Sequence, residues 1–230
     1  MRSKQSGFTL VEIAIVLVII GLLLGGVLKG QELINSAKIK NLVNDMNGVS
    51  TAVYGYQDRF KALPGDDLTA GTRWTGTTSG DGTTTISGAF NSATATDESR
   101  LFWQHLRLAG FIGGDTNTNQ PVNAVGGIMG VQSGAGNQTV AALTQGLAGL
   151  VVCQTNVLGR IAESLDNQLD DGKPNGGSVR AWTQTAGALV GADGLTTGVD
   201  ITVAATGKTS PATAYVDDGN TMYTVCKKVT

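Results

Sequence analysis

The sequence predicts an α+β fold: one long N-terminal helix, transmembrane in its first half and amphipathic in its second, packed against an antiparallel β-sheet head. Three observations predict it. Residues 8–28 are apolar with Glu12 as the only ionisable group, an apolar seam continues at helical spacing to Phe60, and β-type segments fill the last third of the chain. At 230 residues the chain is long enough for one domain with an appendage. Its 16 Lys and Arg against 18 Asp and Glu leave a net charge of −2 without like-charge runs, which argues against a nucleic-acid surface. One histidine and two cysteines exclude zinc fingers and iron–sulfur ligation.

The run FTLVEIAIVLVIIGLLLGGVL would span roughly 31 Å as a helix, about the hydrocarbon thickness of a bilayer. Arg2 and Lys4 precede it, so the positive-inside rule leaves the N-terminus in the cytoplasm and places the rest of the chain on the far side. A secretory signal peptide would have a shorter apolar core with its small cleavage residue afterwards, whereas Gly7 stands before the run. Glu12 is the anomaly: a carboxylate inside a spanning helix costs about 2.5–3.5 kcal/mol at the bilayer centre, so it calls for a partner.

A basic leader ending in Gly7, then FTLVE, then an uninterrupted apolar helix resembles the type IV prepilins and the pseudopilins of type II secretion. The resemblance implies that a membrane prepilin peptidase cuts between Gly7 and Phe8 and that the new Phe8 amine is N-methylated. It also implies that Glu12 faces the Phe8 ammonium of a neighbouring subunit in a filament core, a buried pair of the kind that costs about 3–5 kcal/mol to break. Residues 1–7 would be the leader, 8–28 the membrane and filament-core half of the helix, 29–62 its amphipathic half and 63–230 the pilin-like head.

Ile39, Leu42, Met46, Val49, Val53, Tyr56 and Phe60 are spaced 3, 4, 3, 4, 3, 4, one face of a helix that no proline interrupts before Pro64. Such a helix would run roughly 80 Å from Phe8. Gly21, Gly25, Gly26 and Gly30 serve either as points of local bending or as close-packing positions between helices. Ala62-Leu63-Pro64-Gly65-Asp66-Asp67 ends the helix, and 68–95 reads as a long surface loop. A short helix follows over LFWQHLRLAGF, capped by Thr96 or Asp97 and stopped at Gly110. The stretch 113–136 reads as loop with at most one short strand. Leu147–Val152 is a β-like run into Cys153, and Val157, Leu158, Ile161, Ala162, Leu165 and Leu169 recur at helical spacing. Strand candidates are Ser178–Thr183, Val199–Ala204, Ala212–Val216 and Thr221–Val229, the last two framing a hairpin turn at Asp217-Asp218-Gly219-Asn220.

No catalytic set emerges. Gly207-Lys208-Thr209 imitates a phosphate-binding loop but lacks its first glycine, and His105 has no second titratable histidine or cysteine nearby in sequence. With the body outside the cytoplasm, Cys153 and Cys226 are expected to form an intrachain disulfide, the alternative being two buried thiols. Calcium is the one cofactor considered: Asp166, Asp170, Asp171 and Asn175 could supply oxygens, although Asp-Asp-Gly is also ordinary turn chemistry.

The function expected is structural rather than enzymatic. The chain reads as a filament subunit held in the inner membrane, its head in the periplasm, and then polymerised into a pilus or periplasmic filament. Its partners would be copies of itself or related pilins, the prepilin peptidase, an inner-membrane assembly platform and membrane lipid, with no nucleic acid. A fibre-forming subunit, a minor pilin or secretion pseudopilin, and a membrane-anchored adhesive tip module are the readings left open.

Overall fold

The computed structural model describes residues 9–134, 147–184 and 213–229, and the strand candidate Val199–Ala204 lies outside them. The chain divides after Lys38 into two compact units. Helix α1, Leu10–Phe60, is the sole described element of the first unit and continues into the second. Its apolar character changes on the way. Every described side chain from Thr9 to Lys29 is exposed, whereas Ile39, Leu42, Met46, Val49, Ala52, Val53 and Tyr56 are buried. The helix remains α-helical through Gly21, Gly25, Gly26 and Gly30, so none of these glycines melts it. It stops where Lys61 takes a left-handed conformation (φ 55°). Gly65 (φ 91°) then turns so tightly that a Cβ there would lie 2.5 Å from the Glu98 carbonyl oxygen.

In the second unit the buried seam of α1 packs on a four-stranded antiparallel sheet ordered β1-β2-β4-β3: β1 Met129–Gly134, β2 Gly149–Leu158, β3 Val179–Thr183 and β4 Met222–Lys228. Alternation divides β2 between two cores. Val152 joins the cluster around α1, and Val151 and Cys153 join a smaller one with Phe90, Ile128, Trp182 and Cys226. Gln154, fully buried, donates from Nε2 to the Leu42 carbonyl at 2.9 Å, tying the sheet to the helix it faces. Helix α3, Glu98–Leu108, adds Phe102, Trp103 and Leu106 to the main core, and α4, Gly159–Leu169, adds Ile161, Ala162 and Leu165.

Three expectations are corrected. Val157 and Leu158 belong to β2 rather than to the following helix, because a register shift between Gln154 and Val157, with Asn156 at φ 61°, carries the strand past the irregularity. Cys153, at the end of the expected β-like run, lies within β2. Residues 213–216 form no strand, so the expected hairpin is absent; β4 pairs with β2 and β3 instead. The stretch 68–95 is anchored rather than superficial: it contains the short helix α2, Ala70–Arg73, and buries Ile86 and Phe90. Its backbone also covers the open edge of β1, where Ile86 N–H donates to Ser133 Oγ at 2.6 Å and Phe90 N–H to Gln132 Oε1 at 3.1 Å.

Cys153 and Cys226, direct register partners on β2 and β4, form a disulfide. Its closing of a long loop corresponds to roughly 4 kcal/mol in the chain-entropy picture. Around the end of α1, a buried polar network joins helix to loop. Asp67 Oδ2 accepts Tyr56 Oη and Arg73 Nη1, each at 2.7 Å, and Oδ1 accepts the Thr69 N–H and hydroxyl, each at 2.8 Å. Burial pushes the Asp67 carboxyl up, but Arg73, Tyr56 and Thr69 outweigh it and hold it at about 2. His105, fully buried, accepts the Gly65 N–H at Nδ1 and meets the Thr78 carbonyl at Nε2, each at 2.9 Å. These partners fix the neutral tautomer with its proton on Nε2, and burial lowers the ring's pKa. His105 is thus a fully buried group that ties the turn at Gly65 and the Thr78 carbonyl to α3.

Both groups titrate lower folded than unfolded, so each contributes stability at neutral pH that is lost in acid. Stability should begin to fall as pH drops below about 6.5, the unfolded histidine value, and fall again below about 3.9 as Asp67 protonates. Asp67→Asn should cost about 2 kcal/mol at pH 7 in urea unfolding of the detergent-solubilised chain, and the gap from wild type should narrow towards pH 2. Changing Cys153 and Cys226 together to Ala should lower stability by about 3–4 kcal/mol in the same assay, with native secondary structure retained.

Candidate functional site

The N-terminal end of α1 is where the sequence concentrates its functional residues. Gly7 and Phe8 lie outside the described residues; Thr9 and Glu12 lie within them. Thr9 precedes the first helical residue, and its N–H and hydroxyl both donate to Glu12 Oε2 at 2.8 Å, while the Glu12 N–H meets Thr9 Oγ1 at 3.3 Å. This is a capping box, the Thr-x-x-Glu arrangement that satisfies orphan donors at a helix start. The sequence reading missed it, although Thr9-Leu10-Val11-Glu12 carries the pattern. Glu12 thus has a partner inside its own chain, from neutral donors, and no cation among the described residues reaches it.

Around that carboxylate is an apolar surface that no described residue covers. Leu10 is 90% exposed and Leu22 76%, with Val11, Val18, Leu23, Leu24 and Leu28 also open. The most apolar 18-residue window of α1 has a mean hydropathy of 2.8, and by length and composition the helix can cross a membrane. An array of this size cannot face water in a working protein; lipid or other protein must cover it. A Cβ built on Gly21, Gly25, Gly26 or Gly30 would meet nothing within 4 Å, so no described residue packs against these glycines.

Two carboxylate triads in the second unit bring ligand atoms within 4.8 Å of one another: Asp66, Asp81 and Glu98, and Asp166, Asp170 and Asp171. In the first, backbone N–H groups occupy both oxygens of Asp66 (Thr83 at 2.9 Å, Thr84 at 2.7 Å) and both of Glu98 (Asp81 at 2.9 Å, Ser87 at 2.8 Å). It is a staple for the loop between α2 and α3. Sequence gave no sign of it, because its members are 15 and 17 positions apart and meet only through the fold. The second triad unites three of the four residues read as oxygen donors, while Asn175 is exposed and makes no hydrogen bond to them. Asp218 is plain turn chemistry: Oδ1 accepts the Asn220 and Thr221 N–H groups, which with the Thr221 hydroxyl hold the carboxyl at about 2. Gly207-Lys208-Thr209 lies outside the described residues. An open groove of about 980 Å³ lies between the end of α1 and β2, lined by Phe60, Leu63, Leu68, Thr84 and Leu150 among others.

Comparison with curated proteins and with solved structures returns no match. Comparison with protein families matches residues 2–28 to the prokaryotic N-terminal methylation motif. The match spans Gly7, Phe8, the Thr9–Glu12 box and most of the apolar run, whose described part, from Leu10 to Leu28, is exposed. The chain therefore carries, at its N-terminus, the prepilin signature of the type IV pilins and pseudopilins.

Proposed function

We propose that the protein is a structural subunit of a type IV pilus-like filament, cleaved after Gly7, N-methylated at Phe8 and polymerised through the first half of α1. The observation that carries this reading is the coincidence of the methylation motif with an apolar surface, residues 10–28, that no described residue covers. Before assembly, lipid of the inner membrane covers that surface; in the filament, the corresponding helices of neighbouring subunits do, with an assembly platform moving the subunit between the two. The partners are copies of this chain or related pilins, and the role is structural rather than enzymatic. A minor pilin or pseudopilin of a short filament uses the same chemistry. The groove beside the end of α1 favours, as a second reading, an adhesive or binding role for the head.

The capping box supplies a way to isolate the charge of Glu12. In the bilayer the carboxylate accepts Thr9 donors close to the cytoplasmic interface, so insertion does not require a cation. In a dry filament core the neighbour's Phe8 ammonium supplies the missing charge. Glu12→Gln keeps an acceptor for Thr9 but carries no charge, Glu12→Val removes both, and Thr9→Val weakens the cap and keeps the charge. With wild-type copies absent, both Glu12 variants should reach the membrane at normal levels and yield at least tenfold less sheared fibre, while Thr9→Val should retain most of it. Wild-type fibre yield from Glu12→Gln would reject the pairing. Mass spectrometry of the fibre should show a chain beginning at N-methylated Phe8; an intact leader there would reject the processing step.

A further inference from the structure

We propose that Asp166, Asp170 and Asp171, at the C-terminal end of α4, form a binding site for one calcium ion. Each carboxylate uses one oxygen within the protein and keeps the other free. Asp166 Oδ2 accepts the Tyr215 hydroxyl at 2.7 Å, Asp171 Oδ1 accepts the Lys173 N–H at 2.9 Å, and Asp170 Oδ2 accepts the N–H groups of Ser178 and Val179. The remaining oxygens accept no hydrogen bond, and that of Asp166 is the telling one. Asp166 is 0% exposed, yet its Oδ1 has no hydrogen-bond partner; the Gly172 N–H stands near the carboxylate but makes no hydrogen bond to it by distance and angle. Leaving a buried carboxylate oxygen unpaired costs more than leaving a neutral group unpaired, so something must answer it.

Electrostatics point the same way. Three carboxylates stand together with no salt bridge to any of them among the described residues. They cluster at a helix C-terminus, where the helix dipole disfavours anions and favours cations, and the last turn of α4 contains no basic residue. One oxygen of each carboxylate lies within 4.8 Å of the others, close enough to share a cation, and an all-oxygen set suits calcium, whereas magnesium sheds its waters reluctantly. The Asp66, Asp81 and Glu98 triad differs in that backbone N–H groups already fill both oxygens of two of its members. A bound cation would fasten the end of α4 to Tyr215 and, through Asp170, to the start of β3.

The site does not depend on the filament reading, and it can be tested on the full chain purified in detergent and stripped with EDTA. Equilibrium dialysis against radioactive calcium should find one ion per chain, saturating by about 1 mM, the range of extracellular calcium modules. Calcium should raise the melting temperature, and equimolar magnesium should raise it much less. Asp171→Asn, which retains an acceptor for the Lys173 N–H, should weaken calcium binding at least tenfold with the circular dichroism unchanged. Asp218→Asn, at the separate turn, should leave binding as in wild type. Absence of uptake by wild type at about 5 mM calcium, or equal affinity in wild type and Asp171→Asn, overturns the proposal. Higher thermal stability of calcium-free Asp166→Asn together with no calcium uptake by wild type would identify Asp166 as a protonated structural acid instead.

Discussion

Helix α1 is apolar on all sides between Leu10 and Leu28 and apolar on one face between Ile39 and Tyr56, and the two stretches impose different obligations. A one-sided stripe is discharged by a single sheet, which the second unit provides with β1, β2 and β4 and the facing side chains of α3 and α4. An all-round apolar surface has no such solution within a monomer of this size. Hydrocarbon or other helices would meet that need, and the proposed function supplies both in turn.

The head is organised around the fixed seam of α1. Gln154 reaches from the middle of the sheet to a helix carbonyl, the disulfide joins the two central strands, and the Tyr56–Asp67–Arg73 network locks the end of the helix to the loop behind it. Both sheet edges are closed by side chains and loop carbonyls: Ser133 and Gln132 tie the 86–90 segment to β1, while Asp170 and the Pro174 carbonyl bind N–H groups of β3. Closed edges leave no row of free strand N–H and C=O groups for strand addition between heads.

The seam from Ile39 to Phe60 was legible because a 3–4 spacing over six steps has one geometric solution, and Cys153 with Cys226 allowed one intrachain pairing. The boundaries of α3 were legible from Asp97 and Gly110. The end of β2 was not, since Val157, Leu158 and Ile161 have helical spacing and only the left-handed Asn156, braced by Gln184 through a 2.7 Å hydrogen bond, shows that the first two remain in the strand. The anchoring of 68–95 was equally hidden: its polar sequence is held by carboxylates of Asp66 and Glu98, whose partners are backbone N–H groups that no side-chain pattern announces. At the N-terminus, Glu12 read as a carboxylate without a partner, and the fold showed a local one in Thr9.

On the proposed reading the cap and the ion pair are sequential roles of Glu12: the structure shows the helix cap, and the filament proposal adds a pairing with a neighbouring subunit. A reconstruction of sheared fibres by electron cryomicroscopy, at a resolution that shows side chains, tests this most directly. The account predicts the carboxylate of Glu12 within about 4 Å of the methylated Phe8 nitrogen of a neighbouring subunit, in a core closed to water. A fibre built of this chain in which Glu12 faces solvent, or in which the Leu10–Leu28 helices make no contact with one another, would contradict it.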